Sequence, residues 1–104
     1  MKNRELLDFK NSNYLSHGFP AILEKVQPIM DEFIDEMISL DELDLFVLQE
    51  KVKVCVLKLN DVGFVGWESI ETVEREIIGK AFDDIGRIIG FPNIWDEVEK
   101  HRDF

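Results

Sequence analysis

Apolar residues recur every three or four positions along most of this chain, which is the spacing of one buried face of an α-helix. The clearest series is a seam with steps of 3, 4, 3, 4 and 3, formed by Leu45, Leu48, Val52, Cys55, Leu59 and Val62. A second series precedes it and consists of Ile22, Leu23, Val26, Ile29, Met30, Phe33, Met37 and Ile38. A third follows it and consists of Ile70, Val73, Ile77, Ala81, Ile85 and Ile88. Gly79 and Gly86 lie within this third series, which indicates either close approach of another helix or simple tolerance of glycine. The pattern predicts three long amphipathic helices.

The ends of these helices carry signals of their own. Pro20 suits the first turn of a helix, where its missing N–H costs nothing, whereas Pro28 should kink or split the same helix. Ser39 and Glu42 have the spacing of a capping box for the helix that contains the seam. Ser69 is one candidate cap for the helix after it.

Two shorter helices are predicted near the ends of the chain, from about Asn3 to Phe9 and from about Asn93 to His101. The Gly90–Pro92 stretch separates the last helix from the one before it, because glycine suits the left-handed end and proline blocks continuation. The Lys51–Leu59 segment partly alternates like a strand, but the seam extends beyond it on both sides, which favours a helix. The sequence therefore predicts an all-α fold, a small single-domain bundle of about four to six helices spanning residues 1–104.

Composition agrees with one folded domain. The chain has 104 residues and is 45% hydrophobic, which is too apolar for intrinsic disorder despite a net charge of −10. Cys55 is the only cysteine, so an internal disulfide is impossible, and its place on the seam predicts a buried thiol. No signal peptide and no bilayer-spanning apolar stretch is predicted, which favours a cytoplasmic protein.

No catalytic, cofactor-binding or metal-binding site is predicted, and the protein is not expected to be an enzyme. His17 and His101 are the only histidines. Glu97 lies four residues before His101 and could share a metal with it, but the chain has no Glu-x-x-His motif of the kind that di-metal bundles use. A glutamate series with three-residue spacing indicates a solvated helix face more strongly than a cation site; it consists of Glu68, Glu71 and Glu74.

The segment from Val26 to Glu50 carries eight carboxylates and no lysine or arginine. They are Asp31, Glu32, Asp35, Glu36, Asp41, Glu42, Asp44 and Glu50. Such a block makes a negative field that repels nucleic acid and membrane surfaces and attracts a basic protein. The alternative explanation is a solvated face that only keeps the protein soluble.

A second candidate interface is the glycine-flanked loop that contains Phe64, Val65 and Trp67, because aromatic anchors dominate many protein interfaces. The alternative is that this loop folds back and covers one end of the bundle. The predicted partner-binding residues are Asp31, Glu32, Asp35, Glu36, Asp41, Glu42, Asp44, Trp67, Glu71 and Glu74.

The segment from Ser39 to Phe104 resembles a family of small, uncharacterised, helical bacterial proteins classed as a domain of unknown function. The resemblance lies in Leu40–Leu43, Leu59–Asp61, Ile70–Phe91 and Glu99–Phe104, with a weaker extension through Phe19, Pro20, Leu23 and Val26. Pro28 departs from the family pattern. The resemblance implies an all-helical fold and supplies no active-site residue.

In size, acidity and helical content the chain is also similar to the immunity proteins of bacterial toxin systems, including contact-dependent growth inhibition. This similarity implies a cytoplasmic inhibitor that binds a cognate toxin, such as a basic nuclease, as a monomer in a one-to-one complex. A second hypothesis is a regulatory or scaffolding module that associates with itself or another helical protein through the seam. A third is a metal-dependent enzyme that uses Glu and His.

Overall fold

Five α-helices account for most of the computed structural model, which describes residues 2–104. They are α1 (Lys2–Lys10), α2 (Pro20–Ser39), α3 (Leu45–Asn60), α4 (Thr72–Ile89) and α5 (Ile94–His101). The predicted all-α class is thereby confirmed, and the ambiguous Lys51–Leu59 segment lies wholly within α3. In the part of the chain that the structure describes, the only extended pairing is one isolated bridge between Val65 and Glu68.

The helices pack in a closed ring around one core. Helix α1 contacts α2 and α4, α3 contacts α2 and α5, and α4 contacts α5, so the order around the ring is α1, α2, α3, α5, α4. Phe33 of α2 and Phe82 of α4 meet inside the ring with centroids 5.5 Å apart. The largest fully buried side chains are Phe33, Phe82, Leu6, Ile22, Met30, Ile34, Met37, Leu48, Leu59, Ile78, Ile85 and Ile94. Each helix therefore contributes to a single apolar interior.

Helix α2 begins at Pro20 as predicted and continues through Pro28 without interruption. Of the two effects predicted for Pro28, a kink or a split, the split does not occur. Pro28 lies on the exposed side of α2, so water can reach the Glu24 carbonyl that loses its partner when proline replaces an N–H donor. At the other end, the Lys2 ammonium donates to the carbonyls of Met37 and Leu40, both at 3.2 Å, and so satisfies the last turn.

Helix α3 begins later than its capping motif indicates. Asp44 is the N-cap, and its Oδ1 accepts the Val47 N–H at 2.9 Å. The predicted capping box is wrong: Ser39 is the last residue of α2, and its hydroxyl donates to the Glu36 carbonyl at 2.8 Å. Five of the six seam residues are buried as predicted, namely Leu48, Val52, Cys55, Leu59 and Val62.

Helices α4 and α5 are joined by a tight corner. Gly90 adopts a left-handed conformation with φ of 86° at the end of α4, as the Gly90–Pro92 stretch predicts. Helix α4 itself begins after Glu71 and not after Ser69. Its third residue, Glu74, is only 5% exposed, so its carboxylate is buried in the fold.

Candidate protein-interaction surface

The carboxylates of α2 are largely engaged within the protein. Of the four that were predicted to bind a partner, three form ion pairs with lysines of α1 and α3: Lys10 with Asp35 at 2.8 Å, Lys51 with Glu36 at 3.5 Å, and Lys58 with Glu32 at 2.8 Å. The hydrogen bonds to Asp35 and Glu32 raise the pKa of Lys10 and Lys58 respectively, so both lysines stay charged. The expectation of an unneutralised negative face along α2 is corrected by these pairs, because three lysines offset most of that charge.

The fourth of these predicted carboxylates, Asp31, is held by two neutral donors. Its Oδ1 accepts the Tyr14 hydroxyl at 2.6 Å and the Gln27 side-chain amide at 3.0 Å. Burial and this bond to Asp31 together raise the pKa of Tyr14 far above its ordinary value, so the phenol remains a donor. Asp31 therefore fastens the 11–18 loop to α2, and its oxygen faces protein donors.

The two predicted interface glutamates at the start of α4 differ in accessibility. Glu71 is exposed, and its Oε1 accepts the Ser69 hydroxyl at 2.9 Å. Glu74 is buried, and both of its oxygens accept backbone N–H groups, from Glu71 and from Phe19, each at 3.1 Å. The expectation that Glu74 contacts a partner is corrected by this burial, because its carboxylate is already a cap for two helices.

The remaining predicted carboxylates form an exposed corner at the start of α3. Asp41, Glu42 and Asp44 are all exposed, and no lysine or arginine in residues 2–104 forms an ion pair with them. The two residues that follow are apolar and also exposed, with Leu45 at 53% and Phe46 at 85%. We refer to these five residues, Asp41, Glu42, Asp44, Leu45 and Phe46, as the acidic corner. It combines uncompensated negative charge with an apolar side chain that the monomer leaves in water.

An apolar groove adjoins the acidic corner between α3 and the start of α5. Its volume is about 440 Å³. Leu45 and Leu48 of α3 line it together with Phe91, Ile94 and Asp96. Leu45 therefore belongs both to the acidic corner and to this groove.

The loop after α3 presents two aromatic side chains to solvent. Trp67 is 96% exposed and Phe64 is 73% exposed. Val62 and Ile70 on either side are buried, and Val65 packs partly against the core, so the loop is attached to the bundle while its aromatic residues point away. The alternative in which the loop folds back onto the bundle therefore applies to Val65 but not to Phe64 and Trp67.

Sequence reasoning missed Leu45 and Phe46 as surface residues, although the signal for Phe46 is present. Phe46 lies out of phase with the seam, and the positions four, seven and eleven residues later (Glu50, Lys53 and Leu57) share its side of α3. An aromatic residue on the side opposite a buried seam is expected to be exposed. Leu45 fits the seam by spacing but lies at the first turn, beyond the edge of the core.

Two of the side chains considered above as reactive or metal-binding groups are buried or bonded to neighbouring side chains. Cys55 is buried, which raises the pKa of its thiol to about 12, so it has little thiolate at neutral pH. Glu97 accepts the Lys100 ammonium at 2.7 Å and the Gln49 amide at 3.0 Å. Among the described residues, no three His, Cys, Asp or Glu side chains form a group that could hold a metal ion.

No protein-family model, curated protein or solved structure matches this chain. Within residues 2–104, none of the helices has both the length and the apolar character that crossing a bilayer requires.

Proposed function

We propose that this chain is a non-enzymatic inhibitor, a cytoplasmic immunity protein that binds and neutralises a basic bacterial toxin domain such as a nuclease. The observation that carries the proposal is the acidic corner, where Phe46 is 85% exposed beside carboxylates without lysine or arginine partners. A cationic surface with an apolar pocket is the complement of this arrangement. The α2 carboxylates have a supporting role, because their lysine partners already satisfy them.

Charge and apolar contact contribute to different steps of binding. Exposed carboxylates attract a cationic protein from a distance and raise the association rate, an effect that salt screens over about 10 Å at 0.1 M. Burial of Phe46 takes place only in the docked complex and therefore slows dissociation. The proposal thus assigns association mainly to Asp41 and Glu42 and retention mainly to Phe46.

The test takes as candidate partners any basic domains encoded by genes adjacent to the gene for this chain, with growth rescue and stopped-flow binding as measurements. The D41K/E42K variant should bind at least about tenfold more slowly at low salt, with the difference shrinking as salt rises. Asp44 is left intact because it caps α3. The matched control is E24K/D83K, which makes the same change in net charge at exposed positions elsewhere.

Rescue by the wild type, loss of rescue by D41K/E42K and retention by E24K/D83K support the proposal. Equal association rates for the two charge variants would show that only net charge matters and would remove the acidic corner from the mechanism. Failure of the wild-type chain to bind any of these basic domains would refute the inhibitor function.

The second candidate is a scaffolding module that pairs with itself or another helical protein. Five of the six residues of the seam first considered for this role are buried, but Leu45, Phe46, Val54 and Leu57 leave apolar surface exposed on α3. Sedimentation velocity from micromolar to millimolar concentration distinguishes the two functions. A concentration-dependent dimer that F46A dissociates would favour the scaffold.

A further inference from the structure

The loop between α3 and α4 is built to present Trp67 in a fixed position. Val65 and Glu68 exchange two backbone hydrogen bonds, at 2.7 and 3.1 Å, around the central pair Gly66 and Trp67. Gly66 has a φ of 63°, which places glycine at the left-handed first position that a type II′ turn requires. We refer to Val65–Glu68 as the Trp67 turn. Because the turn is closed by its own hydrogen bonds, Trp67 loses little backbone freedom when a partner covers it.

Phe64 and Trp67 are left largely uncovered by the rest of the folded chain. Trp67 is 96% exposed and Phe64 is 73% exposed, while Val62 and Ile70 hold the loop to the core. The segment from Leu59 to Glu74 contains four carboxylates and no lysine or arginine. Of these, Asp61 and Glu71 are exposed on either side of the turn. The Trp67 turn therefore repeats the combination found at the acidic corner, an apolar anchor with negative charge around it.

Exposed apolar residues, interspersed with Glu50 and Lys53, occur along α3 between the two regions. Phe46 and Leu57 are separated by about three helical turns and lie on the same side, and Val54 flanks them. Helix α3 has 16 residues and is therefore roughly 24 Å long at a rise of about 1.5 Å per residue, with the acidic corner at its start and the Trp67 turn beyond its end. A partner surface of ordinary interface size covers that length.

We propose that the Trp67 turn is the second anchor for the same basic protein partner, which lies along α3 and covers Trp67 at one end and Phe46 at the other. This inference rests on the proposed function for the identity of the partner and adds a site to it. The charge around Trp67 favours a cationic partner over an anionic lipid surface, which carboxylates repel. It also disfavours a second copy of this chain, because each copy has a net charge of −10.

The first measurement is the dissociation rate of the complex with the basic domain that the growth-rescue test identifies as the partner. The W67A variant should dissociate about 30-fold faster or more, the loss typical of an interface hot spot, with a nearly unchanged association rate. The matched control is L7A, which removes a half-exposed apolar side chain from α1, a helix that packs against α2 and α4. L7A should change the dissociation rate less than threefold.

The second measurement follows Trp67 directly. In W95F, Trp67 is the only tryptophan, and its fluorescence should be that of a hydrated indole, freely quenched by acrylamide. Saturation with the basic domain should shift the emission to shorter wavelength and protect it from quenching. Circular dichroism confirms that W95F and W67A remain folded.

The outcomes separate this inference from the proposed function. A tight complex in which W67A dissociates normally and Trp67 stays quenchable would overturn the second anchor and leave the inhibitor function standing. Absence of any complex would remove both. A blue shift on addition of neutral phosphatidylcholine vesicles, or on concentrating the free protein, would instead assign the Trp67 turn to a membrane or to a second copy and would overturn the proposal.

Discussion

Gly79 and Gly86 lie on the same side of α4, seven residues apart, but only Gly86 lacks room for a side chain. A Cβ at Gly86 would lie 2.6 Å from the Phe91 carbonyl oxygen and 2.7 Å from Cγ2 of Ile94. A Cβ at Gly79 would meet the Trp95 ring at 3.6 Å, an ordinary contact. Both of the explanations offered by the sequence therefore apply, close approach of α5 at Gly86 and tolerance at Gly79.

Substitution of each glycine by alanine should change stability in opposite directions. G79A removes the helix penalty of glycine and should raise the free energy of unfolding by about 0.5–1 kcal/mol. G86A should lower it by about 1–3 kcal/mol, because backbone at the α4–α5 corner must move. Urea unfolding followed by circular dichroism measures both. Equal stability of G86A and G79A would contradict the close contact.

At the residue scale, burial was predictable for most but not all side chains in regular helices. The helical phase of α3 correctly predicts that Cys55 is buried, and the same phase contains the signal for the exposure of Phe46 that the sequence prediction missed. Leu45 and Val73 fit the apolar faces by spacing but are exposed, and Glu74 is buried. Helical phase could not decide the orientation of Trp67, because a loop has no period. That orientation depends on the left-handed Gly66 and on the burial of Val62 and Ile70, which are properties of the folded chain.

At the scale of elements, Glu74 connects the starts of two helices. Its carboxylate accepts the N–H of Phe19, the N-cap of α2, and the N–H of Glu71, the N-cap of α4. Phe19 has no side-chain acceptor of its own, so this long-range bond supplies one of the partners that a helix start requires. One side chain thus fixes where α2 begins relative to α4.

Removal of this carboxylate should destabilise the whole fold. E74A should lower the free energy of unfolding by about 2–4 kcal/mol, since it leaves two N–H groups without a charged acceptor at a buried position. E74Q keeps one acceptor oxygen, so its free energy of unfolding should lie between those of E74A and the wild type. The matched control is E76A, which removes an exposed glutamate from the same helix and should change stability by less than about 0.5 kcal/mol. Chemical denaturation of the four proteins gives the comparison, and an E74A protein as stable as E76A would exclude the double cap.

The helices themselves were predictable from periodicity, while their caps were predictable only in part. Pro20 and Gly90 act as the sequence predicts, because each restricts the backbone locally. Ser39 and Glu42 match a capping box by spacing, yet the chain leaves helical conformation at Leu40 and does not re-enter it until Leu45. The bonds from Lys2 to Met37 and Leu40 at that point join residues more than 30 positions apart, so local sequence could not reveal them.

At the scale of the whole molecule, the amount of charge was predictable but its distribution was not. The sequence gives 22 acidic against 12 basic residues. Three of the lysines lie on α1 and α3 and reach the carboxylates of α2 only because these helices pack beside it. Tertiary packing therefore offsets much of the charge on α2 and leaves the acidic corner and the surroundings of the Trp67 turn among the regions of uncompensated charge.

The excess of negative charge should make the stability of the free protein depend on salt. Exposed ion pairs contribute little and are themselves screened, whereas ten uncompensated charges repel one another in the compact state. Raising NaCl from 10 to 200 mM should therefore stabilise the fold by on the order of 1 kcal/mol, or about 4–8 °C in Tm for a small domain. Differential scanning calorimetry measures the shift.

The D41N/E42Q/E50Q variant, which lacks three unpaired carboxylates, should show a smaller shift in Tm. E32Q/K58M, which removes both members of one ion pair and keeps the net charge, should match the wild type. A Tm that falls as salt rises would mean that the ion pairs outweigh the repulsion. The acidic surface would then lack the uncompensated field through which it is proposed to attract a basic partner.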